Sequence, residues 1–308
     1  MKYRLHLSYL LIAIFCLLLG GCSGSSSASR KEHSGPPRDS TPRVLTPSAD
    51  GVTVYQNDFA SIDTSNTSQG YVMVKYNGTN EKVKLQITCP DQSCYTYLIS
   101  DRGAYDTFPL TAGNGSYALQ VLENVAGDTY TVSLAQSINV NIEDEFLPFL
   151  YPNQYVNFHT DSKAVSKGSD LAKDTYSDLD VVQNIYNYVI KNISYDTEKA
   201  QNVSYGYVPD IDDTLSSKKG IFFDYAALMA SMLRSQNIPT KLEVGYSGDA
   251  YHAWISTYID DKGWVDDIIQ FNGDTWQIMD PTLAATNDSA AVKKYIGDGS
   301  HYVVKYTY

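Results

Sequence analysis

Gly220-Ile221-Phe222-Phe223-Asp224-Tyr225-Ala226-Ala227-Leu228-Met229-Ala230-Ser231-Met232-Leu233-Arg234 is the stretch on which the fold turns. Apolar residues stand at 221, 225, 228, 229, 232 and 233, the i, i+3, i+4, i+7 spacing of one helix face. A second row at 222, 226 and 229 makes the helix apolar almost all round, which predicts a central, buried element. Pro239 closes the next turn. Downstream, Lys241–Tyr246, Tyr251–Ile259, Gly263–Val265 on to Ile269, and Thr275–Thr282 read as short antiparallel strands. One buried helix packed on an antiparallel sheet is an α+β arrangement.

Within this region stand Gly220-x-Phe222-x-Asp224-Tyr225, then His252-Ala253-Trp254, then Asp280-Pro281-Thr282. In order and spacing they resemble the transglutaminase-like family, whose catalytic core is related to papain-type cysteine proteases. The resemblance covers about residues 180–300. It implies a thiol at the start of the buried helix, a histidine base on a strand and an aspartate that orients the histidine. A helix N-terminus lowers a thiol's pKa, the imidazole serves as base and then acid, and the carboxylate fixes the useful tautomer. The chemistry is acyl transfer through a thioester and calls for no cofactor and no metal.

Here the nucleophile position holds Phe222, which has no nucleophilic atom. By the resemblance His252 and Asp280 keep their places as base and orienter, with nothing to activate. Groups that act as a unit lose nearly all their effect when one is removed, so the expectation is a domain without thiol-dependent catalysis. Asp224, Tyr225 and Trp254 are candidates for the walls of a retained groove. Tyr205, Tyr207 and the acidic Asp210-Ile211-Asp212-Asp213 run either rim that groove or form a solvated loop. Upstream, Asp178-Leu179-Asp180 opens an amphipathic helix with Val181, Val182, Ile185, Tyr186, Val189 and Ile190 on one side. The transglutaminase-like domain is accordingly placed at residues 178–308, with an aromatic connector at 146–177.

Residues 51–145 carry a different period. Val52–Tyr55, Tyr71–Tyr76, Lys82–Ile87, Tyr117–Val121 and Tyr130–Leu134 are β-forming runs set apart by turns such as Asn77-Gly78, Asn114-Gly115 and Ala126-Gly127-Asp128. Such spacing predicts an antiparallel β-sandwich. Cys89 and Cys94 bracket one of its turns. Outside the cytoplasm they are candidates for a disulfide across a hairpin mouth, although their spacing alone does not fix the Cα separation a bridge needs, so free thiols stay open. No histidine lies near them to complete a metal site.

The first residues read as an address. Lys2 and Arg4 precede an apolar run from Tyr9 to Leu19, about 16 Å of helix at about 1.5 Å per residue and too short to span a membrane. This is the layout of a secretory signal. Its end, Leu19-Gly20-Gly21-Cys22, resembles the lipobox of bacterial lipoproteins, implying removal of residues 1–21 and lipid on Cys22. Ser, Gly and Pro then dominate to Asp50, so residues 22–50 are expected to be a disordered tether.

Composition narrows the functions further. The 308 residues carry 23 Lys+Arg against 35 Asp+Glu, a formal charge of −12, which argues against nucleic acid as a partner. A hydrophobic fraction of 43% with 19% charged residues excludes wholesale disorder. The expectation is a lipid-anchored protein on the extracytoplasmic side of a bacterial membrane that binds peptide or cell-wall components without turning them over. One alternative is an active thiol-dependent acyl transferase or peptidase, should the natural residue at 222 be Cys, one base away from Phe. The other is an adhesion module working through the sandwich.

Overall fold

Alternating β-formers between Val54 and Val140 produce eight strands: β1 (Val54–Gln56), β2 (Ala60–Asp63), β3 (Tyr71–Tyr76), β4 (Val83–Thr88), β5 (Cys94–Leu98), β6 (Tyr105–Pro109), β7 (Gly115–Ala126) and β8 (Thr129–Val140). They form two antiparallel four-stranded sheets, ordered β1-β2-β3-β6 and β5-β4-β7-β8. The computed structural model describes residues 35–247, 250–260, 262–265, 269–271, 276–278 and 302–308. The chain divides into two units, Met1–Pro36 and Pro37–Tyr308, and the described strands and helices lie in the second. In β4 the inward phase buries Val83, Leu85 and Ile87 while Lys84, Gln86 and Thr88 lie half-buried on the other face. Tyr97 of β5 meets Phe108 of β6 edge-on at 4.9 Å, so the sheets share one core. Because β3 pairs with β6 and β4 with β5, the Asn77-Gly78 turn carries the chain between sheets rather than closing a hairpin.

The two cysteines are free thiols, Cys89 buried and Cys94 exposed, which corrects the expected disulfide. Thr88 stands opposite Cys94 in the ladder, and the Cys89 N–H donates to the Ser93 carbonyl at 2.9 Å. Cys89 follows the inward phase of β4 and Cys94 the outward phase of β5, so their side chains leave opposite faces of the hairpin. A bridge needs converging Cβ vectors. Burial pushes the Cys89 thiol up to about 11.

The supposed tether is also corrected from Pro37 onward, where the chain runs as a strap along the folded unit. The Arg38 and Arg43 N–H groups donate to the Thr175 and Ser235 carbonyls at 2.7 and 2.8 Å. The Arg38 guanidinium pairs with Asp178 at 2.5 Å and also bonds the Gln236 carbonyl. Further along, the Ser48 N–H donates to the Tyr71 hydroxyl at 3.1 Å, and Asn66 Nδ2 donates to the Ser48 carbonyl at 2.9 Å. Two arginines and a row of backbone donors hold a sequence whose Pro and Ser content carries no period.

The helical part follows a connector containing a 3-10 turn at Leu147–Phe149. It comprises α1 (Lys163–Ala172), α2 (Asp178–Asn192), β9 (Ser194–Tyr195), α3 (Thr197–Asn202), α4 (Ile211–Ser217), β10 (Lys219–Gly220) and α5 (Phe222–Arg234). Strands β11 (Thr240–Ser247), β12 (Ala250–Ile259), β13 (Gly263–Val265), β14 (Ile269–Phe271), β15 (Trp276–Ile278) and β16 (Tyr302–Thr307) complete it. β13-β12-β11-β16 make an antiparallel sheet under α5, and β14 pairs with β15. A capping box starts α2: the Asp180 N–H donates to Ser177 Oγ and the Ser177 N–H to Asp180 Oδ2. Every residue of α5 from Asp224 to Arg234 is buried, as its nearly all-round apolar pattern requires. At its end Arg234 is fully enclosed and donates to the carbonyls of Thr240, Tyr151 and Tyr308 at 2.9, 2.7 and 2.7 Å. Burial draws its guanidinium down to about 9. This one side chain ties helix, sheet and connector together.

Aromatic rings fill the seam between sandwich and helical part. Tyr97 lies 5.7 Å from Tyr155 and 5.8 Å from Tyr308, and Tyr155 is 5.3 Å from Phe223. The seam's frame is polar at one point: the Thr307 N–H donates to the Tyr95 hydroxyl, and Thr111 Oγ1 donates to the Thr307 carbonyl. Trp264 of β13 meets the connector through Phe149 at 5.2 Å.

Candidate functional site

The site begins with a glycine. A Cβ on Gly220 would stand 2.8 Å from Asp224 Cβ and 3.2 Å from both Asp224 Oδ2 and Thr214 Cγ2, so only glycine lets the Asp224 carboxylate fold back over the helix start. There Asp224 Oδ2 accepts the Ile221 N–H at 2.8 Å, satisfying a group that the first helical turn otherwise leaves unpaired. The same oxygen pairs with Lys199 Nζ at 2.7 Å, and Oδ1 accepts the Tyr207 hydroxyl at 2.6 Å. Burial and the neighbouring carboxylate both raise the Tyr207 phenol. Asp224 is therefore a fully buried knot that fastens the 199–207 segment to α5, and not a groove wall. Tyr225 is equally buried, its hydroxyl donating to the Ile193 carbonyl at 2.7 Å.

Phe222, the first residue of α5, packs its ring against His252 with centroids 5.2 Å apart at 64°. His252 sits on β12 opposite Gly245 of β11. It is 8% exposed, and desolvation draws its imidazole down to about 4, so the ring is neutral at pH 7. Trp254, two residues on, is fully buried, donating from Nε1 to Glu243 Oε2 at 3.0 Å; Ser256 Oγ donates to the same oxygen at 2.5 Å. Trp254 thus belongs to the core behind the site. Asp280 and Cys22 lie outside the described residues.

In front of Phe222 opens a cavity of about 600 Å³ between the sandwich and the helical part. Phe222, Phe223, Tyr155, Tyr207, Tyr251 and Tyr306 wall it on the helical side, and Lys84 and Leu98 on the sandwich side. His252 is not among the lining residues: the Phe222 ring stands between it and the opening. Phe222 therefore covers the histidine without filling the cleft. Two of the sequence-predicted site residues, Phe222 and His252, are brought together. Tyr205 and Tyr207 line the cavity, whereas Asp210 and Asp212 are spent on helix starts: Asp210 accepts the Asp213 N–H, and Asp212 accepts the Lys163 and Ala164 N–H groups. The sequence reading missed Lys84, Tyr155 and Tyr306. For Tyr306 the signal available was the Tyr-x-Tyr alternation at 306–308, which puts two rings on one strand face; Lys84 and Tyr155 carried none. Among the described residues no cluster of metal-ligating side chains is present.

Comparison with known proteins places this site in context. The model of the transglutaminase-like superfamily matches residues 166–266, from α1 to just beyond β13. A curated relative, the UPF0252 protein MJ1282 of Methanocaldococcus jannaschii, is 30% identical over 118 residues, covering 33% of this chain. The chain spans only about a third, 34%, of that relative's length. Among solved structures, a candidate cysteine protease from Cytophaga hutchinsonii aligns with a TM-score of 0.39 at 14% identity, over 83% of this chain and 74% of its own. The periplasmic domain of TgpA from Pseudomonas aeruginosa aligns with a TM-score of 0.35 at 15% identity, over 82% and 85% of the two chains.

Proposed function

Residues 166–266 are a transglutaminase-like domain, and from that premise we propose that the chain is a surface lipoprotein whose domain has lost its nucleophile and binds peptide in the retained groove. On this reading Cys22 carries the lipid and the folded unit faces the extracytoplasmic side. The observation that carries the proposal is the Phe222 ring, which packs on His252 at 5.2 Å where acyl transfer needs a thiol, while the cavity in front stays open. Burial draws the His252 imidazole down to about 4, which makes it a weak base, and the Phe222 ring beside it offers no proton to take. An open cavity walled by rings has apolar surface to bury, and that is what a peptide's side chains offer.

The test uses the wild-type chain. Fluorescein-labelled hexapeptides are titrated for saturable binding, and a glutamine-containing peptide is incubated with a fluorescent primary amine. Saturable binding with no amine conjugate above the blank is the expected outcome. Conjugate formed at a rate proportional to protein would overturn the non-catalytic half of the proposal, and absence of binding the other half.

A further inference from the structure

The cavity in front of Phe222 has a neighbour on its sandwich side. A second chamber of about 520 Å³ adjoins it, and the two share Lys84, Leu98 and Tyr205 as a common waist. Two chambers in series suit a chain-like ligand better than a compact one. At the waist, Lys84 Nζ lies 4.1 Å from the Tyr130 ring centroid and 5.7 Å from that of Tyr205. The rings fix the ammonium on one flank. Among the described residues no carboxylate comes within 4.0 Å of it, in a chain with a formal charge of −12. Glu81, Asp128 and Lys82 also line the outer chamber, and neither carboxylate pairs with Lys84.

From this geometry we propose that Lys84 is a carboxylate-selecting subsite: the groove takes an extended peptide, threaded through the waist, with an acidic side chain on Lys84 and apolar side chains in the aromatic chamber. This rests on the reading of the groove as a peptide site and names which peptides it selects. A glycan would need side-chain amides and carboxylates to bond its hydroxyls, and among the described residues the inner chamber's walls hold no Asp, Glu, Asn, Gln or Arg. Its polar groups are the Lys84 ammonium and hydroxyls, Thr96 and Ser204 among them. An ammonium carries three donors and no acceptor, so a carboxylate is its natural complement. Gly206 sets the waist: its φ of +80° is left-handed backbone that favours glycine, and Leu98 Cδ1 lies only 2.0 Å from where a Cβ would stand.

The experiment titrates the full chain with a fluorescein-labelled hexapeptide library synthesised in paired Glu and Gln versions. Wild type is expected to bind the best Glu peptide at least about tenfold tighter than its Gln twin, the size of one charge-assisted bond. Lys84→Gln should bring the ratio to about one with the Gln-peptide Kd little changed, and Lys84→Arg should keep the preference. Equal Kd for the twins in wild type would overturn the subsite while leaving the peptide site standing, as would a Glu preference that survives Lys84→Gln. Binding of polygalacturonate oligomers with no hexapeptide binding would overturn the proposal in favour of a glycan. Binding of neither would remove the peptide site itself.

Discussion

The two ends of the groove are built on opposite terms. At the inner end the titratable groups of the motif are enclosed: Asp224 is knotted to Lys199 and Tyr207, and His252 lies desolvated beneath Phe222. At the waist the chargeable group, Lys84, is half-buried, propped on aromatic rings and left without a carboxylate among the described residues. The difference teaches where ligand free energy can come from. Charges already satisfied inside the fold hold structure, and a charge left open to the groove can choose a ligand. On the proposed reading, the inner end keeps the fold of a transglutaminase-like site without its thiol, and selection of a ligand falls to the waist.

Breaking the inner end should produce the largest effect. Asp224→Ala removes the acceptor of the Ile221 N–H, the Tyr207 hydroxyl and the partly exposed Lys199 ammonium at once, and three such losses together cost about 3–5 kcal/mol. Denaturant titration should show the midpoint falling with the m-value unchanged. Acid comes next. The unfolded His252 imidazole takes a proton below about pH 6.5, and the folded one only near 4, so in that window the unfolded chain binds more protons and stability falls as pH falls. The loss attributable to His252 is roughly 3 kcal/mol by pH 4, and it should be absent from a His252→Gln variant followed over the same pH range. At the waist, Gly206→Ala should cost about 1–3 kcal/mol, from left-handed backbone strain and the collision with Leu98, and weaken hexapeptide binding by displacing Tyr205. The smallest effect lies outside the groove. Arg38→Ala removes the strap's partly buried pair with Asp178 and should cost about 1–2 kcal/mol with peptide binding unaltered. A binding change there would show that the strap and the groove are coupled.

Much of the inner end was legible in the sequence, because periodicity and motif agree there. The apolar rows of 221–233 required a buried helix, and His252-Ala253-Trp254 required a strand beside it. What each motif residue does was less legible. Asp224, Tyr225 and Trp254 suggest a groove by their chemistry, yet their hydrogen bonds turn all of them inward. The waist was not legible, because a lysine at alternate phase in a strand reads as a solvated face, and only the tertiary approach of Tyr130 and Tyr205 gives Lys84 a setting. The strap misled for a related reason. Pro- and Ser-rich sequence has no period, and its order comes from partners such as Thr175, Ser235 and Tyr71, far away in the chain. For Cys89 and Cys94 an extracytoplasmic setting suggested a bridge, and strand phase sends the two side chains to opposite faces instead.

The central proposal is that Phe222 stands where a transglutaminase-like site carries its thiol, beside His252 and in front of an open cavity. Phe222→Cys tests it most directly, with iodoacetamide labelling at pH 7 mapped by mass spectrometry and folding verified by circular dichroism. Removing the ring opens the cavity to His252 and places a thiol on the first residue of α5, where helix N–H groups lower its pKa. Position 222 should label at least about a hundredfold faster than Cys89, whose thiol burial holds near 11. A folded variant in which the new thiol labels no faster than Cys89 would contradict the account.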